Sequence, residues 1–509
     1  MTNTNIWQRA LTAATATLAF IPSIHAGISL SVDDEASIKA GAAIAANDLM
    51  KLYVNNASGT TPIEVGTFAK PIYWWEAGAV WGGLVDYWAY TGDASYVATV
   101  TQALLAQKGP ANDFMNVEWE KELGNDDQVF WALTAMSAAE QGFPEPSAAS
   151  AAAVTNPPSA WLDLAVNTFN TQVARWDMAT CNGGLRWQVY ATNNGYTYKN
   201  SVSNGGLFQL AARLHRYTGN ATYSDWATKV WDWSVGVGAV NAQTYDVYDG
   251  AGVDQNCTQF DKTQWSYNVA MYLYGAAAMY NGTDGAAPWD ARTRGLLDNA
   301  ARRFFSPPAG NASDVAYEAA CEPLDSCNTD QLSFKAYLAR WLAKTSVLAP
   351  DVDNGTALPL LRASALGAAA ACSGEADGTS CGYRWDTGSY DGKAGVGPQL
   401  AAMEVMQALL VVAPGKQAAA AGESSSSVAA AAVISSTTTT PLPVQATPTT
   451  MLTSTVSSTS TSTTTSIATT TATSTTAAAA APSAVSSAAV MARWIAAAAA
   501  KAQPADAMF

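Results

Sequence analysis

One turn occurs twice in this 509-residue chain, as YTGDASY at residues 90–96 and as YTGNATY at residues 217–223. In each copy a glycine, Gly92 or Gly219, can end a helix in the left-handed conformation. The aspartate or asparagine that follows can cap the next helix. The turn therefore predicts pairs of antiparallel helices, and residues 280–284 resemble a looser third copy.

Helical periodicity extends this pattern over most of the chain. Residues 27–414 contain twelve segments with apolar residues at helical spacing. The segments are 34–53, 72–91, 94–107, 125–142, 159–174, 203–218, 221–236, 264–280, 288–305, 329–345, 357–371 and 396–412. Twelve helices in hairpins predict an all-α fold, an (α/α)6 barrel with six inner and six outer helices. A non-toroidal helical array is the alternative, because periodicity alone does not distinguish the two.

The N-terminal segment and the cysteines both predict export. Residues 1–26 combine Arg9, an apolar stretch and a terminal small residue, as a secretory signal does. Six cysteines follow, and an even count in an exported protein predicts disulfides. Proximity pairs Cys321 with Cys327 and Cys372 with Cys381, which leaves Cys181 with Cys257 among fifteen possible connectivities. A metal site is disfavoured, since the chain has neither a CxxC pair nor partner histidines.

Other features of the sequence agree with a secreted glycoprotein. Glycosylation acceptors occur at Asn56, Asn220, Asn281, Asn311 and Asn354, and a less favourable one at Asn256 precedes Cys257. From about Gly415 onward the composition changes to Ala, Ser, Thr and Pro, which predicts a disordered, O-glycosylated stalk over 415–509. A lipid-anchor signal can end such a stalk. Charged residues interrupt this one, so anchoring by glycosylphosphatidylinositol (GPI) stays open.

Charge and histidine content limit the possible functions. The formal net charge is −15, which disfavours binding to nucleic acid and suits a neutral substrate such as a glycan. The same acidity could simply keep a secreted protein soluble. Only His25 and His215 are present, and His25 lies in the signal segment. A multi-histidine zinc site is therefore excluded, and carboxylates remain for acid–base chemistry.

Two adjacent carboxylates stand in the run GNDDQ at residues 124–128, directly before a helical segment. Glycoside hydrolysis needs two carboxyl groups at one bond, so Asp126 and Asp127 are candidates for it. The alternative is helix capping, with Asn125 as the N-cap and Gln128 as its capping-box partner. The local sequence alone favours capping over catalysis.

The motifs around this pair have a recognisable order. They are YWWEAG at 73–78, DYW at 86–88, the aspartate pair, LRWQ at 185–188, YKNS at 198–201, YDG at 248–250 and QWSYN at 264–268. This succession resembles glycoside hydrolase family 76, the endo-acting α-1,6-mannanases, over roughly residues 30–414. It is most similar to the fungal cell-wall branch of that family.

The resemblance implies a fold, a substrate and a mechanism. It implies an (α/α)6 catalytic domain and a retaining reaction with Asp126 as nucleophile and Asp127 as general acid/base. Neighbouring residues in a helix diverge by about 100°, so the pair must lie at a distorted helix start, where Gly124 lets the backbone bend. Burial and the neighbouring negative charge should raise one of the two pKa values.

Substrate and location follow from the same resemblance. We expect a monomer without cofactor or metal that acts on α-1,6-linked mannan or on the mannose core of GPI glycans. The fungal branch favours transfer onto a β-glucan acceptor, and hence a role in cell-wall biogenesis at the wall or the outer face of the plasma membrane. The alternatives are a catalytically inactive mannan-binding protein and a purely structural wall glycoprotein.

Further residues in the same motifs are candidates for sugar binding. Flat tryptophan rings can stack on pyranose rings, and short polar groups can bind hydroxyls. The stacking candidates are Trp74, Trp75, Trp187 and Trp265, and the polar candidates are Glu76, Asn200, Asn204, Asp249, Tyr267 and Asn268. A core position is the alternative for each tryptophan, and a helix cap for each polar residue.

Overall fold

The computed structural model describes residues 27–146, 161–308 and 313–412. Within these ranges it has twelve helices of eleven residues or more. They are α1 (Glu35–Lys51), α2 (Trp74–Thr91), α3 (Val97–Gln107), α4 (Asn125–Gln141), α5 (Trp161–Ala174), α6 (Ser201–Thr218), α7 (Ala221–Val237), α8 (Ser266–Gly282), α9 (Ala287–Phe304), α10 (Phe334–Leu348), α11 (Ala357–Ala371) and α12 (Val396–Val412). Each corresponds to a predicted segment. The predicted signal peptide and stalk lie outside the described residues.

Shorter helical turns lie between these helices. A four-residue helix spans Pro350–Asp353, and 3-10 turns span Val117–Glu122, Val253–Gln255, Glu322–Leu324, Gln331–Ser333 and Trp385–Thr387. The turn at Gln331–Ser333 explains the largest error in the predicted boundaries. It occupies the start of the segment predicted at 329–345, so that α10 begins only at Phe334.

The even-numbered helices form a closed inner ring. Each packs against the next in the order α2, α4, α6, α8, α10 and α12, and α12 packs against α2. The odd-numbered helices cover this ring: α3 packs on α2, α5 on α4, α7 on α6 and α9 on α8, while α1 and α11 pack on α12. The fold is therefore an (α/α)6 barrel, and the alternative of a non-toroidal array is excluded.

Sequence composition explains which helices lie inside. Every residue of α12 is buried, whereas α7 buries only one face. A helix that is buried all round must be apolar or small nearly all round, and an outer helix needs one apolar stripe. At the centre of the ring Phe130 contacts the rings of Trp75, Tyr337 and Trp341 at centroid distances of 4.7, 5.2 and 6.2 Å.

The repeated turn ends an inner helix in both copies. Gly92 (φ 81°) ends α2 and Gly219 (φ 71°) ends α6, both in the left-handed conformation. Asn220 caps α7 as predicted, because its side chain accepts a hydrogen bond from the Thr222 amide at 3.0 Å. Asp93 does not cap α3. Its carboxylate binds the Ser95 amide instead, and α3 begins only at Val97.

A small sheet stands in the long loops between the barrel helices. Its strands are β1 (Tyr198–Asn200), β2 (Gly250–Gly252) and β3 (Phe260–Asp261), antiparallel in the order β1-β2-β3. The turn sequence Asn193-Asn194-Gly195 favours a hairpin over residues 187–198, but residues 187–197 contain no strand and β1 pairs with β2 of the other long loop. The sheet joins loop 176–202 to loop 239–263.

Three disulfides cross-link the described residues. They join Cys181 to Cys257, Cys321 to Cys327 and Cys372 to Cys381, the pairing expected from proximity. The first ties together the two long loops that carry the sheet. No helix in the described part of the chain is long and apolar enough to cross a membrane.

The structure separates the predicted glycosylation sites. Asn56, Asn220 and Asn354 are exposed, and Asn311 lies outside the described residues. The prediction for Asn281 is wrong for the folded protein, because this residue is 7% exposed within α8. Its amide donates to the Leu348 carbonyl at 3.2 Å and its oxygen accepts from Arg216 Nε at 2.9 Å.

Candidate active site

The N-terminal ends of the inner helices gather around one cleft. The cleft measures about 450 Å³ and is lined by Tyr73, Trp75, Lys121, Glu122, Asp126, Asp127, Phe130, Trp187, Gln188, Tyr198, Asn200, Val202, Asp249, Tyr267, Asp330 and Phe334. These residues stand at or just before the starts of α2, α4, α6, α8 and α10, or in the two long loops. The barrel therefore brings together motifs that are far apart in sequence.

The aspartate pair lies in the first turn of α4. Asp127 accepts a hydrogen bond from the Gly124 amide at 2.8 Å, and Asp126 accepts one from the Asp127 amide at 3.1 Å. Asp127 thus caps its helix and faces the cleft as well. Capping and a position in the candidate site, which the sequence offered as alternatives, therefore both apply to Asp127.

The predicted cap residues are wrong by one position. Gly124, not Asn125, is the N-cap, because Asn125 is already the first residue of α4. The Asn125 amide donates to the Trp187 carbonyl at 2.8 Å. Gln128 does not complete a capping box. Its amide points away from the cleft and donates to the Asp113 carbonyl at 2.6 Å.

Gly124 is required for space and not for flexibility. Its φ of −93° is accessible to any residue. A Cβ atom there would lie 2.3 Å from a carboxyl oxygen of Asp126 and 2.3 Å from one of Asp127. The expectation that Gly124 lets the backbone bend is therefore wrong. A glycine is needed here because a side chain would collide with the two carboxyl groups.

Asn200 holds the Asp126 carboxylate from the neighbouring helix. Its amide donates to Asp126 Oδ2 at 3.0 Å, and its oxygen caps α6 by accepting from the Ser203 amide at 3.2 Å. Strand β1 fixes Asn200 opposite Gly250. Asn200 therefore belongs to the sheet, caps α6 and orients the Asp126 carboxylate.

Burial raises the pKa values of both aspartates, which differ because of their neighbours. It raises the pKa of Asp126 to about 6, and hydrogen bonds from Asp127 and Asn200 limit the increase. Burial together with the Asp126 carboxylate raises the pKa of Asp127 well above its ordinary value. No ion pair among the described residues includes either aspartate. Above about pH 6, Asp126 is therefore ionised while Asp127 keeps its proton.

Aromatic side chains form much of the cleft wall. Trp75 is 9% exposed and Trp187 is 37% exposed, so Trp187 offers the larger free surface. Tyr267 stacks on Phe334 with ring centroids 3.9 Å apart. Of the four predicted stacking residues, only Trp75 and Trp187 line the cleft.

The other two tryptophans do not line the cleft. Trp74 is 1% exposed, stacks on Trp131 and donates to Gln107 Oε1 at 2.8 Å, so it is a core residue. Trp265 is partly buried and packs edge-on against Phe334. The prediction that they stack on sugar is therefore not supported.

Three of the predicted polar residues are buried beneath the site. Both polar atoms of the Asn204 side chain form hydrogen bonds with the backbone of Leu185 and Asn200, so this residue has a structural role. Glu76 and Asn268 are 0% exposed and their polar side-chain atoms have no hydrogen-bond partner. The prediction that these three side chains contact sugar hydroxyls is wrong, because none reaches the cleft.

Asn200, Asp249 and Tyr267 do line the cleft, and the structure adds residues that the sequence did not indicate. Asp249 accepts from the Tyr198 hydroxyl at 2.9 Å, and Asp330 accepts from Trp75 Nε1 at 3.1 Å. Burial raises the pKa of both carboxyl groups. One weak feature of the sequence could have indicated Asp330 as a site residue, namely its position directly before the apolar run of α10.

Four aspartates and little positive charge thus surround the cleft. Within the described residues, no group of three histidine, cysteine, aspartate or glutamate side chains has the geometry to hold a metal ion. A proton donor and a carboxylate held side by side in an aromatic cleft, on an (α/α)6 barrel, define the class of glycoside-cleaving enzymes.

Comparison with known proteins gives the family. Residues 37–421 match the model of glycosyl hydrolase family 76, and the chain belongs to that family. It is 45% identical over 383 residues to the mannan endo-1,6-alpha-mannosidase DCW1 of Saccharomyces cerevisiae, which covers 74% of this chain and 80% of the relative. The mannan endo-1,6-alpha-mannosidase DFG5 of the same yeast is 40% identical, covering 77% and 82%.

Solved structures share the architecture. Dfg5 from Chaetomium thermophilum, in complex with glucosamine, matches with a TM-score of 0.69 and 39% identity over 75% of this chain and 92% of that chain. The GH76A α-1,6-mannanase of Salegentibacter sp. HEL1_6, as an inactive double-aspartate variant with α-1,6-mannotriose, matches with a TM-score of 0.56 and 17% identity. It covers 73% of this chain and 99% of that chain, and supports the fold alone.

Proposed function

We propose that this glycosidase is a secreted, retaining endo-α-1,6-mannosidase that cleaves α-1,6-linked mannan or the mannose core of GPI glycans during cell-wall biogenesis. One observation carries the proposal. Asp126 and Asp127 lie side by side in an aromatic cleft, and neither forms an ion pair within the described residues. Burial raises both pKa values, and the neighbouring Asp126 carboxylate raises that of Asp127 further.

The first step uses the two carboxyl groups in opposite ionisation states. Asp127 donates its proton to the glycosidic oxygen while the Asp126 carboxylate attacks the anomeric carbon. The C–O bond to the leaving sugar breaks, and a mannosyl ester of Asp126 forms. Asn200 keeps Asp126 Oδ2 in place at 3.0 Å, so that the attacking group is already oriented.

In the second step Asp127 acts as a base. It takes a proton from an acceptor hydroxyl, the acceptor oxygen attacks the anomeric carbon, and the Asp126 carboxylate leaves. Two inversions give net retention. An oxygen of each carboxyl group lies 2.3 Å from the position of a Cβ atom on Gly124, so these two oxygens are less than about 5 Å apart, closer than the ~6.5–9.5 Å that inverting enzymes keep for a water molecule. This closeness supports the retaining course.

Relatives support the substrate class. The yeast relatives are named mannan endo-1,6-alpha-mannosidases, and the Chaetomium structure contains glucosamine. The cleft itself combines Trp75 and Trp187 with carboxylates and one lysine, Lys121. Such a surface suits an uncharged sugar chain and repels anionic polymers.

A second groove beside the cleft offers room for an acceptor sugar. It measures about 650 Å³, is lined by Val117–Glu122, Thr192 and Asn193, and shares Lys121 and Glu122 with the cleft. An acceptor glycan such as β-glucan could lie there while the mannosyl ester waits on Asp126. Export from the cell, which a location at the cell wall requires, agrees with three disulfides in the described residues.

Product analysis on α-1,6-mannotetraose tests this function. The full chain is compared with Asp126→Asn and Asp127→Asn, and products are separated by length. Shorter products from the parent alone indicate hydrolysis, and longer products indicate transfer. Binding without any product from the parent would contradict the proposal and favour a mannan-binding protein.

A further inference from the structure

A third carboxylate faces the catalytic pair from the start of α10. Asp330 lies in the turn that precedes α10 and lines the same cleft as Asp126 and Asp127. It is not adjacent to the pair in sequence, and the proposed two-carboxylate reaction does not use it. Its position and contacts nevertheless differ from those of an ordinary surface aspartate.

The turn that carries Asp330 is held on several sides. Asn328 and Gln331 exchange hydrogen bonds with each other's amides at 2.9 and 3.0 Å. The Tyr383 hydroxyl donates to the Gln331 carbonyl at 2.8 Å, and Ser333 Oγ donates to the Asp330 carbonyl at 2.7 Å. The Asp330 side chain is therefore presented to the cleft from a fixed backbone, as a preorganised binding group requires.

Trp75 connects this turn to α2. Its indole Nε1 donates to Asp330 Oδ1 at 3.1 Å. The indole ring is itself fixed by Phe130 and Tyr337, whose centroids lie 4.7 and 5.8 Å away. An apolar ring edge and a carboxylate thus lie side by side on one wall of the cleft.

The Asp330 carboxylate has no cation to balance it. No ion pair among the described residues includes it, and burial raises its pKa. Behind it lies Glu76, which is 0% exposed and whose two carboxyl oxygens have no hydrogen-bond partner. Trp75 supplies one hydrogen bond to the Asp330 carboxylate, a carboxylate can accept several, and sugar hydroxyls are donors of the required kind.

We propose that Asp330 and Trp75 together form a sugar-binding subsite. A pyranose of the substrate packs its C–H groups against the edge of the Trp75 ring, and one of its hydroxyls donates to the Asp330 carboxylate. This inference rests on the proposed function and names the residues that recognise its substrate. The sugar bound there must be free of anionic groups at that hydroxyl, because Asp330 would repel them.

Calorimetric titration of α-1,6-mannotetraose into the inactive Asp127→Asn protein tests this subsite. The same titration is made with Asp330→Asn added, and with Asp225→Asn added as the control. Asp225 is an exposed residue of α7, outside the cleft, so the control removes the same charge elsewhere. We expect Asp330→Asn to weaken Kd about tenfold, since a hydrogen bond to a charged group is lost. The control should stay within about twofold of Asp127→Asn, as expected of an exposed charge.

A second variant guards against a folding defect. Trp75→Phe keeps an aromatic ring and removes the indole donor, and it should also weaken binding while the melting temperature stays near that of the parent. Unchanged Kd for Asp330→Asn, or for Trp75→Phe where Asp330→Asn does not fold, overturns the subsite alone. If Asp127→Asn itself does not bind the tetrasaccharide, the proposed function and the subsite both fail.

Discussion

Buried carboxylates at the starts of the inner helices have no ion-pair partner among the described residues, whereas those farther along the same helices do. At the helix starts, Asp126, Asp127 and Asp330 lie in the cleft without an ion-pair partner among the described residues. From the middle of the ring helices onward, every buried carboxylate of the described residues has a cation. Arg213 lies 2.8 Å from Glu140, Lys344 lies 2.8 Å from Asp86, and Arg340 lies 2.7 Å from Glu404. We call these three pairs the ion-pair layer.

Burial alone therefore does not decide the chemistry of a carboxyl group. Burial favours the protonated form of Glu140, but the charge and hydrogen bonds of Arg213 outweigh it and lower the pKa of Glu140. Asp127 experiences the same burial beside another carboxylate, and its pKa is raised. The cleft thus holds a proton donor, whereas Glu140 and Arg213 form a charged pair that links the neighbouring helices α4 and α6.

Of the following changes, breaking a pair in the ion-pair layer should have the largest effect, a loss of folding stability. Glu140→Gln leaves Arg213 as a buried charge without its carboxylate, which should lower the free energy of unfolding by about 3–5 kcal/mol. Urea unfolding measures this loss. The matched control is Asp290→Asn, which breaks an exposed pair with Arg294 and should cost less than about 1 kcal/mol. Equal losses for the two variants would contradict the distinction between the two ends.

Crowding the cleft should abolish activity without unfolding the protein. In Gly124→Ala the new methyl group collides with both carboxyl groups, so we expect kcat to fall by about a hundredfold or more, as in misplaced catalytic groups. Gly236→Ala is the control, because nothing lies within 4 Å of a Cβ there. Initial rates and melting temperatures of both variants test this. Normal kcat in Gly124→Ala would show that the carboxyl groups tolerate displacement.

Removing the hydrogen bond from Asn200 should have a smaller effect with a distinct pH signature. Asn200→Ala should lower kcat/KM about tenfold, the value of one hydrogen bond to a charged group. Since that bond lowers the pKa of Asp126, the acidic limb of the pH profile should move upward from about pH 6. A lower kcat/KM without a shift of the acidic limb would mean that Asn200 stabilises the sheet and α6 but does not lower the pKa of Asp126.

The smallest expected effect concerns Glu76, the buried carboxyl beneath the cleft. Burial and Asp330 raise its pKa, so the folded state binds its proton more tightly than the unfolded state does. Its contribution to stability is therefore complete below about pH 4.5 and is lost as the pH rises. Glu76→Gln lacks this loss and should gain stability over the parent by about 1 kcal/mol per pH unit above pH 4.5. Denaturation at pH 4 and pH 6 checks the sign, and a variant less stable at pH 6 would contradict it.

Much of the fold could be predicted from the sequence. Periodicity and the repeated turn gave the number and order of the helices, because an inner helix followed by a glycine turn is a local signal. Closure of the ring depends on contacts between α12 and α2, which periodicity does not contain. For that step the family resemblance was needed.

The candidate site was less predictable. Asp126, Asp127 and Asn200 stand in local motifs, but the Trp75–Asp330 bond joins residues 255 positions apart. Adjacent helix residues point about 100° apart, so Trp75 reaches the cleft while Trp74 enters the core. Glu76 and Asn268 were misassigned for the same reason, since helix packing decides which way a first-turn side chain points.

Chemical rescue with azide tests the central claim, that Asp126 is the nucleophile and Asp127 the acid/base, most directly. Asp127→Ala and Asp126→Ala are each assayed on an aryl α-1,6-mannobioside, whose leaving group needs no acid. With azide, Asp127→Ala should regain turnover and release a glycosyl azide of α configuration, because the ester on Asp126 still forms. Asp126→Ala should give only the β azide, by direct attack. The opposite assignment of configurations, or no rescue of Asp127→Ala, would contradict the account.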